Sequence, residues 1–282
     1  MPELPEVEVL VRHLAPLMRG KTIRGIEIRR AKILRPTSAR QLRETLRGAR
    51  FTGVKRRGKY LLFELHAPRR SNTIQLLGHL GMTGRMFMAA RKQPLPKHAA
   101  VVLDLGRQRF VLEDTRYFGR LTLDRTPLAK LGPEPLSAAF AIGGFAAALR
   151  HSRQAIKVKL LDQSLVAGIG NIYASEALHV ARLSPRRAAR SLTRAEVTRL
   201  RRAIRRVLAE AIRFGSTVPL NHSGNDGDGL FYYGRDPDAP DFYEERLRVY
   251  DRAGDVCGRC GGTIRRLVQA ARSTYFCAGC QR

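Results

Sequence analysis

Four cysteines in two CxxC pairs constrain this chain more than any other feature. Cys257 and Cys260 are followed, after 16 residues, by Cys277 and Cys280, and the sequence holds no other cysteine. Each pair can wrap two thiolates around one side of a tetrahedron, and the intervening length is enough for a β-hairpin that brings the pairs together. Gly261-Gly262 suits a tight turn, and the runs TIRRLV and TYF supply two short strands. No fifth ligand or catalytic base lies nearby in the sequence, so the expectation is a single closed, structural Zn2+. A redox CxxC would need a βαβ pattern around it, and none is present. Arg272 falls at the tip of the expected hairpin and, taken alone, is a solvated surface arginine.

Charge narrows the partners. Lys+Arg 52 against Asp+Glu 24 gives a formal net charge of +28 over 282 residues. Such a chain concentrates near polyanions, which leaves nucleic acid, an anionic membrane or an acidic protein. A general arginine bias with no polyanion is the bland alternative. The basic residues are spread along the whole chain, which favours a nucleic acid lying across a folded groove. The start MPELPEVEVL has no basic region ahead of an apolar run, so a signal peptide is not expected. No window approaches the ~18 apolar residues of a membrane span. The expected compartment is the cytoplasm, and there disulfides are disfavoured.

The hydrophobic period changes along the chain. Residues 6–18 place Val7, Leu10, Val11, Leu14 and Leu17 on one helical face, with Glu3, Glu6 and Glu8 at the positive end and Gly20 as the stop. From about 21 to 125 the period is two, and strands are bounded by Gly, Pro and Asn turns, including a hairpin turning near Gly106. One helix followed by many strands suggests a β-sandwich or flattened barrel. The stretch 131–144, rich in Pro, Gly and Ala, reads as an interdomain connection. Beyond it Thr193 and Glu196 form a capping box ahead of a long amphipathic helix that Gly215 stops. Residues 216–241 show no periodicity and read as a long loop.

Pro2 is where chemistry enters. If Met1 is trimmed, Pro2 offers a secondary amine that can attack a sugar C1′ and form an iminium. An α-amine with an unperturbed pKa of roughly 7.7–8.0 is partly neutral at cellular pH. A helix N-terminus would depress it further. Glu3 beside it can donate or shuttle a proton as the sugar opens. PELPE on its own is just a Pro-Glu helix start.

PELPEVE at 2–8, RRGKYLLFEL at 56–65, HLGMTGRM at 79–86 and EDTRYFGR at 113–120 resemble the formamidopyrimidine-DNA glycosylase family. So do LGPEPL at 131–136, LVAGIGNIYASEAL at 165–178, RVYDRAG at 248–254 and the four-cysteine finger. The resemblance runs over nearly the whole chain, and PELPEVE is closer to this family than to the endonuclease VIII relatives that share its fold. It implies an α+β chain of two domains. The N-terminal one is a β-sandwich with a flanking helix; the C-terminal one is helical, with a helix-two-turn-helix and a β-hairpin zinc finger. The expected division is a catalytic domain over 1–130, a linker over 131–150, the helix-two-turn-helix over 151–246 and the finger over 247–282.

The resemblance also implies roles. Pro2 would be the Schiff-base nucleophile, Glu3 the proton donor, Glu6 a support to the site, and Lys59 the basic group at the phosphate beside the lesion. Met82, Arg116 and Phe118 would fill the gap left by an extruded nucleotide; without the resemblance, Met82 and Phe118 would count as core. Asn171 opens a helix whose free N–H groups favour an anion, with Gly168 and Gly170 admitting a phosphate. His98, Arg153, Lys157 and Arg272 would be further DNA contacts, and Arg272 would also serve the final elimination.

The implied enzyme is a monomer on damaged double-stranded DNA, with no membrane and no small-molecule cofactor. It would remove oxidised purines such as 8-oxoguanine and formamidopyrimidines and then cut the abasic strand by β,δ-elimination. Two departures bear on specificity. The loop after Gly215-Ser216-Thr217 is longer and more aromatic than the family pattern, and Tyr117 stands where arginine is common and could alter reading of the opposite base. A preference for oxidised pyrimidines and a non-catalytic damage-binding protein are the alternatives.

Overall fold

A computed structural model gives the fold and describes residues 2–67, 73–214 and 247–282. The loop expected over 216–241 lies outside the described residues. The chain divides into two compact units, one holding residues up to Ala129 and the other running from Lys130 and including the C-terminal finger.

In the first unit, helix α1 (Leu4–Met18) buries Leu4, Val7, Leu10, Val11, Leu14 and Met18 on the apolar face, each contributing about 1.5–3 kcal/mol by leaving water. It ends two residues before Gly20, whose φ of +80° no β-carbon would favour. Strand β1 (Gly25–Ile28) follows, then helix α2 (Ala39–Leu46), which lies inside the stretch where alternation alone suggests strands. Its signal is local: Ser38 caps it by accepting from the Gln41 N–H at 3.0 Å.

Seven further strands complete two antiparallel sheets: β2 (Arg50–Arg57), β3 (Tyr60–His66), β4 (Ile74–His79), β5 (Gly84–Ala90), β6 (Ala99–Asp104), β7 (Gln108–Asp114) and β8 (Arg120–Thr122). Their orders are β1-β6-β7-β5 and β2-β3-β4-β8. The β6–β7 hairpin turns through Gly106 at φ +96°, as its sequence suggests. Phe51, Phe63 and Phe110 pack edge to face in the core of this unit, with α1 over it. A one-turn helix, α3 (Thr126–Ala129), closes the unit.

The second unit is helical: α4 (Ile142–Arg150), α5 (Ile156–Leu160), α6 (Asn171–Val180) and α7 (Arg194–Phe214). The stretch expected to be a linker is folded structure here. Phe140, Phe145 and Leu149 are buried, and Arg205 of α7 donates to the carbonyls of Pro135 and Ser137 at 3.0 Å each. Helical period in so Gly- and Ala-rich a segment is hard to see without the surface it packs on. The Thr193–Glu196 capping box is present, with N–H to side-chain distances of 2.9 and 3.3 Å. Strands β9 (Ile264–Gln269) and β10 (Arg272–Cys277) form the finger hairpin. Its turn is Ala270-Ala271, both at positive φ, so Arg272 begins β10 beside the tip. Among the described residues no helix is long and apolar enough to cross a membrane.

Candidate active site and nucleic-acid interface

The start of α1 solves an ordinary problem of helix ends with an unusual choice of residues. The first N–H groups of a helix need outside acceptors. Here Glu3 is the N-cap and Glu6 reaches back to the Glu3 N–H at 2.7 Å, completing a capping box of two carboxylates. Both are almost fully buried, whereas Pro2 just ahead of them is only half-buried. The fold therefore keeps the half-buried Pro2 next to a held, desolvated acid.

Lys59 sits in the two-residue turn between β2 and β3, opened by Gly58 at φ +57°. It is buried despite its charge. Arg56 supports this turn, donating through Nη1 to the Gly58 carbonyl at 3.0 Å and through Nε to Glu8 of α1 at 2.8 Å. Burial raises the Glu8 carboxyl, but the hydrogen bonds and charges of Arg56 and Arg12 outweigh it and hold the group below the usual range. His79, paired across β4 with Tyr60, is pushed down to about 4 by burial and by the Lys59 and Arg120 cations. It is therefore neutral at pH 7, and its Nδ1 accepts the Gly81 N–H at 3.0 Å.

Two adjoining turns carry Met82, Arg116 and Phe118. Met82 and Phe118 are 47% and 53% exposed, which removes them from the core that their chemistry alone would suggest. Arg116 is also exposed, with its Nη1 4.0 Å from the Met82 sulfur. The turns meet because residue 81 is glycine. At φ +61°, a β-carbon there would lie 2.7 Å from the Gly119 nitrogen and from the Phe118 carbonyl carbon.

Asp114, which sequence reasoning missed, ties both turns from below. Fully buried, it accepts from Thr83 Oγ1 (2.7 Å), the Arg116 N–H (3.1 Å) and the Gly119 N–H (2.7 Å). The available signal is an acid two residues before a turn, a common Asx arrangement. His98 faces Tyr117, with Nδ1 3.5 Å from the tyrosine hydroxyl.

In the second unit, Gly170 caps α6 and Gly168 takes φ +90°, leaving the N-terminus of α6 at Asn171. Lys157 is fully buried; its ammonium donates to Asn171 Oδ1 and, at 3.4 Å, to the Ser273 carbonyl. Asn171 Nδ2 donates to the same carbonyl at 2.9 Å. Lys157 thus holds Asn171 and the start of β10, and its own charge does not reach the surface. Arg153 and Arg272 are exposed. Glu176, also unanticipated, accepts the N–H groups of Arg248, Val249 and Tyr250 at 2.9–3.0 Å. Burial pushes its carboxyl up, and these bonds with Arg248 pull it the other way. Several arginines of α7 hold carbonyls, so part of the positive charge is structural.

The cysteine thiols converge as expected. All four sulfurs lie within 4.8 Å of one another, with Cys260–Cys277 at 3.5 Å and Cys257–Cys280 at 3.8 Å. A tetrahedral Zn–S site with bonds of about 2.3 Å puts sulfurs about 3.8 Å apart, so the four residues fit one structural zinc. One group near it was not anticipated. Buried His179 of α6 places Nε2 3.4 Å from Cys257 Sγ, while Arg259 of the finger donates to the His179 carbonyl at 2.8 Å.

Residues 1–121 match the formamidopyrimidine-DNA glycosylase N-terminal domain, residues 131–221 its H2TH domain, and residues 254–282 the zinc finger found in FPG and IleRS. A formamidopyrimidine-DNA glycosylase of Thermus thermophilus is 43% identical, covering 100% of this chain and 98% of that one. Among solved structures, a mutant of Lactococcus lactis FPG in complex with Fapy-dG containing DNA has a TM-score of 0.86 and 33% identity, with 100% of both chains covered. MutM in complex with carbocyclic 8-oxo-G containing DNA has a TM-score of 0.85 and 33% identity, again with full coverage of both.

Proposed function

The chain belongs to the formamidopyrimidine-DNA glycosylase family, and from that premise we propose that its Pro2 amine performs the excision of oxidised purines from duplex DNA. The enzyme is a DNA glycosylase and abasic-site lyase of base-excision repair, and its finger holds one structural zinc. The observation that carries the assignment of the nucleophile is the arrangement at the head of α1. There, accessible Pro2 precedes a buried Glu3 whose backbone is pinned by Glu6.

In this scheme the Pro2 nitrogen attacks the sugar C1′, the glycosidic bond breaks, and the base leaves with the proton given up by the amine. The ring then opens as its oxygen takes a proton from Glu3, leaving an iminium between Pro2 and C1′. The iminium acidifies C2′; loss of that proton expels the 3′-phosphate, and a second elimination expels the 5′-phosphate. Lys59, held by its turn, sets a cation at the phosphate beside the lesion. Met82, Arg116 and Phe118 occupy the gap, offsetting part of the few kcal/mol of lost stacking. In the second unit Asn171, Arg153 and Arg272 hold backbone phosphates, and Arg272 serves the last elimination; His98 serves the first unit. Lys157 acts through Asn171. The compartment is the cytoplasm, at the nucleoid.

Fapy-dG and 8-oxo-G in two structural relatives support purine lesions, and Lactococcus lactis FPG bound to oxidized-pyrimidine DNA supports the pyrimidine alternative. Borohydride trapping on an 8-oxoguanine duplex tests the scheme. Met-trimmed protein should give a covalent adduct, and protein forced to retain Met1 should bind the duplex and give none. Binding without any adduct from the trimmed protein would leave a damage sensor. Excision rates on single-lesion duplexes would separate purine from pyrimidine preference.

A further inference from the structure

Between the two exposed side chains of the 116–118 turn, Tyr117 points the other way. Its backbone is left-handed, at φ +54°, a conformation that tyrosine occupies only when its surroundings hold it there. It is half-buried and packs against the core of its unit, while Arg116 and Phe118 on either side are exposed. Two groups clamp the ring. The Arg30 guanidinium carbon lies 5.3 Å from its centroid, a cation–π distance, and the His98 ring meets it edge to face with centroids 6.4 Å apart. The clamp is itself fixed by backbone. The Arg29 and Arg30 N–H groups both donate to the Ala100 carbonyl, and the Asp114 N–H donates to the His98 carbonyl at 3.1 Å. Two separate segments therefore converge on one aromatic ring.

We propose that Tyr117 is the positioning residue of the gap-filling turn: its ring, held by Arg30 and His98, maintains the left-handed backbone that projects Arg116 and Phe118. This rests on the gap-filling role proposed above. It also relocates the part played by the tyrosine at this position, because its ring faces Arg30 and His98 and does not project with its neighbours. Arg30 and His98 then act on the lesion through Tyr117.

Three substitutions at Tyr117 separate the elements. Tyr117→Gly accepts the backbone conformation and removes the anchor; Tyr117→Leu keeps apolar bulk without a π face; Tyr117→Phe keeps the ring and loses only the hydroxyl. Phe118→Ala serves as the reference for gap filling. Each is measured for single-turnover excision of 8-oxoguanine opposite cytosine, for 2-aminopurine fluorescence beside the lesion, and for cleavage of a single-stranded abasic oligonucleotide, which needs no base extrusion.

Tyr117→Gly should lose about tenfold or more in duplex excision together with the fluorescence change, the size expected when a strained conformation loses its support. Tyr117→Leu should fall between it and wild type, and Tyr117→Phe should stay near wild type. Single-strand cleavage by all three should remain within about twofold of wild type, a change of under half a kcal/mol. Duplex excision by Tyr117→Gly and Tyr117→Leu at the wild-type rate, with Phe118→Ala impaired, would overturn the anchor and leave gap filling intact. A parallel loss of single-strand cleavage in Tyr117→Leu would also overturn it, as general damage to the fold. An unimpaired Phe118→Ala would remove the gap-filling role itself.

Discussion

Arg56 donates through Nε to Glu8 Oε2 at 2.8 Å, and the same guanidinium donates to the carbonyl of Gly58 at 3.0 Å. One side chain thereby ties the helix that follows Pro2 to the turn that presents Lys59. Pro2 and Lys59 come from sequence positions far apart, and this strut is a physical reason for them to keep a fixed relation. Arg56→Ala removes a largely buried charge-assisted pair but leaves Glu8 with Arg12 at 2.8 Å, so no carboxylate is orphaned. The expected stability loss is about 1–3 kcal/mol. Single-turnover excision should fall by about tenfold, since loosened positioning is costly to rate. Arg56→Lys, which cannot make both contacts, should fall between. Excision at the wild-type rate in a destabilised Arg56→Ala would make the strut purely structural.

Glu6 offers a sharper test in the first turn of the same helix. Its carboxylate accepts the Glu3 N–H at 2.7 Å inside the protein. Glu6→Gln keeps a carbonyl acceptor at that place, whereas Glu6→Ala leaves a buried donor unmet at a cost of about 1–3 kcal/mol. The yield of borohydride-trapped adduct should follow wild type, Gln, Ala in descending order. Equal yields from the two variants would mean that holding the Glu3 backbone does not matter to the imine step.

Much of this was legible in the sequence, for identifiable reasons. The cysteine spacing and the Thr193–Glu196 box are local signals, and local geometry realised both. The strands from Arg50 onward and the Gly106 turn follow from period and composition. What escaped were residues whose importance is a matter of who lies opposite them. Asp114, Glu176 and His179 are ordinary letters in a strand end and a helix, and their roles come from partners 31, 72 and 78 positions away. Phe140 and Phe145 were hidden by the Gly- and Ala-rich stretch around them, because only the α7 surface makes that stretch a folded layer. Exposure of Met82 and Phe118 was likewise invisible to hydrophobicity, which assigns such residues to the interior.

His79 should leave a mark on acid stability. The imidazole takes its proton near 6.5 in an unfolded chain but near 4 in the fold, where burial and the Lys59 and Arg120 cations oppose it. Between these values the unfolded chain binds more protons, so stability rises with pH. The contribution is complete above about 6.5, is lost progressively as pH falls toward about 4, and amounts to at most about 3 kcal/mol. Urea titrations at a series of pH values should show this slope in wild type and a shallower one in His79→Gln. Identical slopes would place the acid sensitivity elsewhere.

Gly81 is the point where the turns that carry Met82 and Phe118 touch. Gly81→Ala would press a β-carbon to 2.7 Å from the backbone at Phe118 and Gly119, at a φ of +61° that alanine disfavours. The two effects together should cost at least about 2 kcal/mol. Because the displaced atoms belong to the Phe118 turn, duplex excision should suffer more than cleavage of a single-stranded abasic oligonucleotide. Equal losses on the two substrates would argue for damage to the sandwich as a whole.

Zinc retention should depend on a residue outside the ligand set. His179 lies at 3.4 Å from Cys257 Sγ through Nε2, and a ring N–H donated to a metal-bound thiolate lowers the charge the sulfur presents to the ion and fixes its direction. The same helix turn is gripped by Arg259, so the first cysteine knuckle is seated on α6 by two contacts from neighbouring residues. The finger's own apolar cluster is small, centred on Val249, Ile264 and Tyr275. Removing the ion with a chelator should therefore unfold the β9–β10 hairpin and with it the presentation of Arg272. His179→Phe should release zinc to a chromogenic chelator about tenfold faster, the lower end of the usual range for a lost partner of a ligand. His179→Gln, which can still donate an N–H, should recover part of the difference. Cobalt-substituted protein provides an independent readout, because the thiolate charge-transfer band should shift in the Phe variant and move back toward wild type in the Gln variant. Unchanged release and an unchanged band in His179→Phe would mean that the imidazole only fills space against the finger.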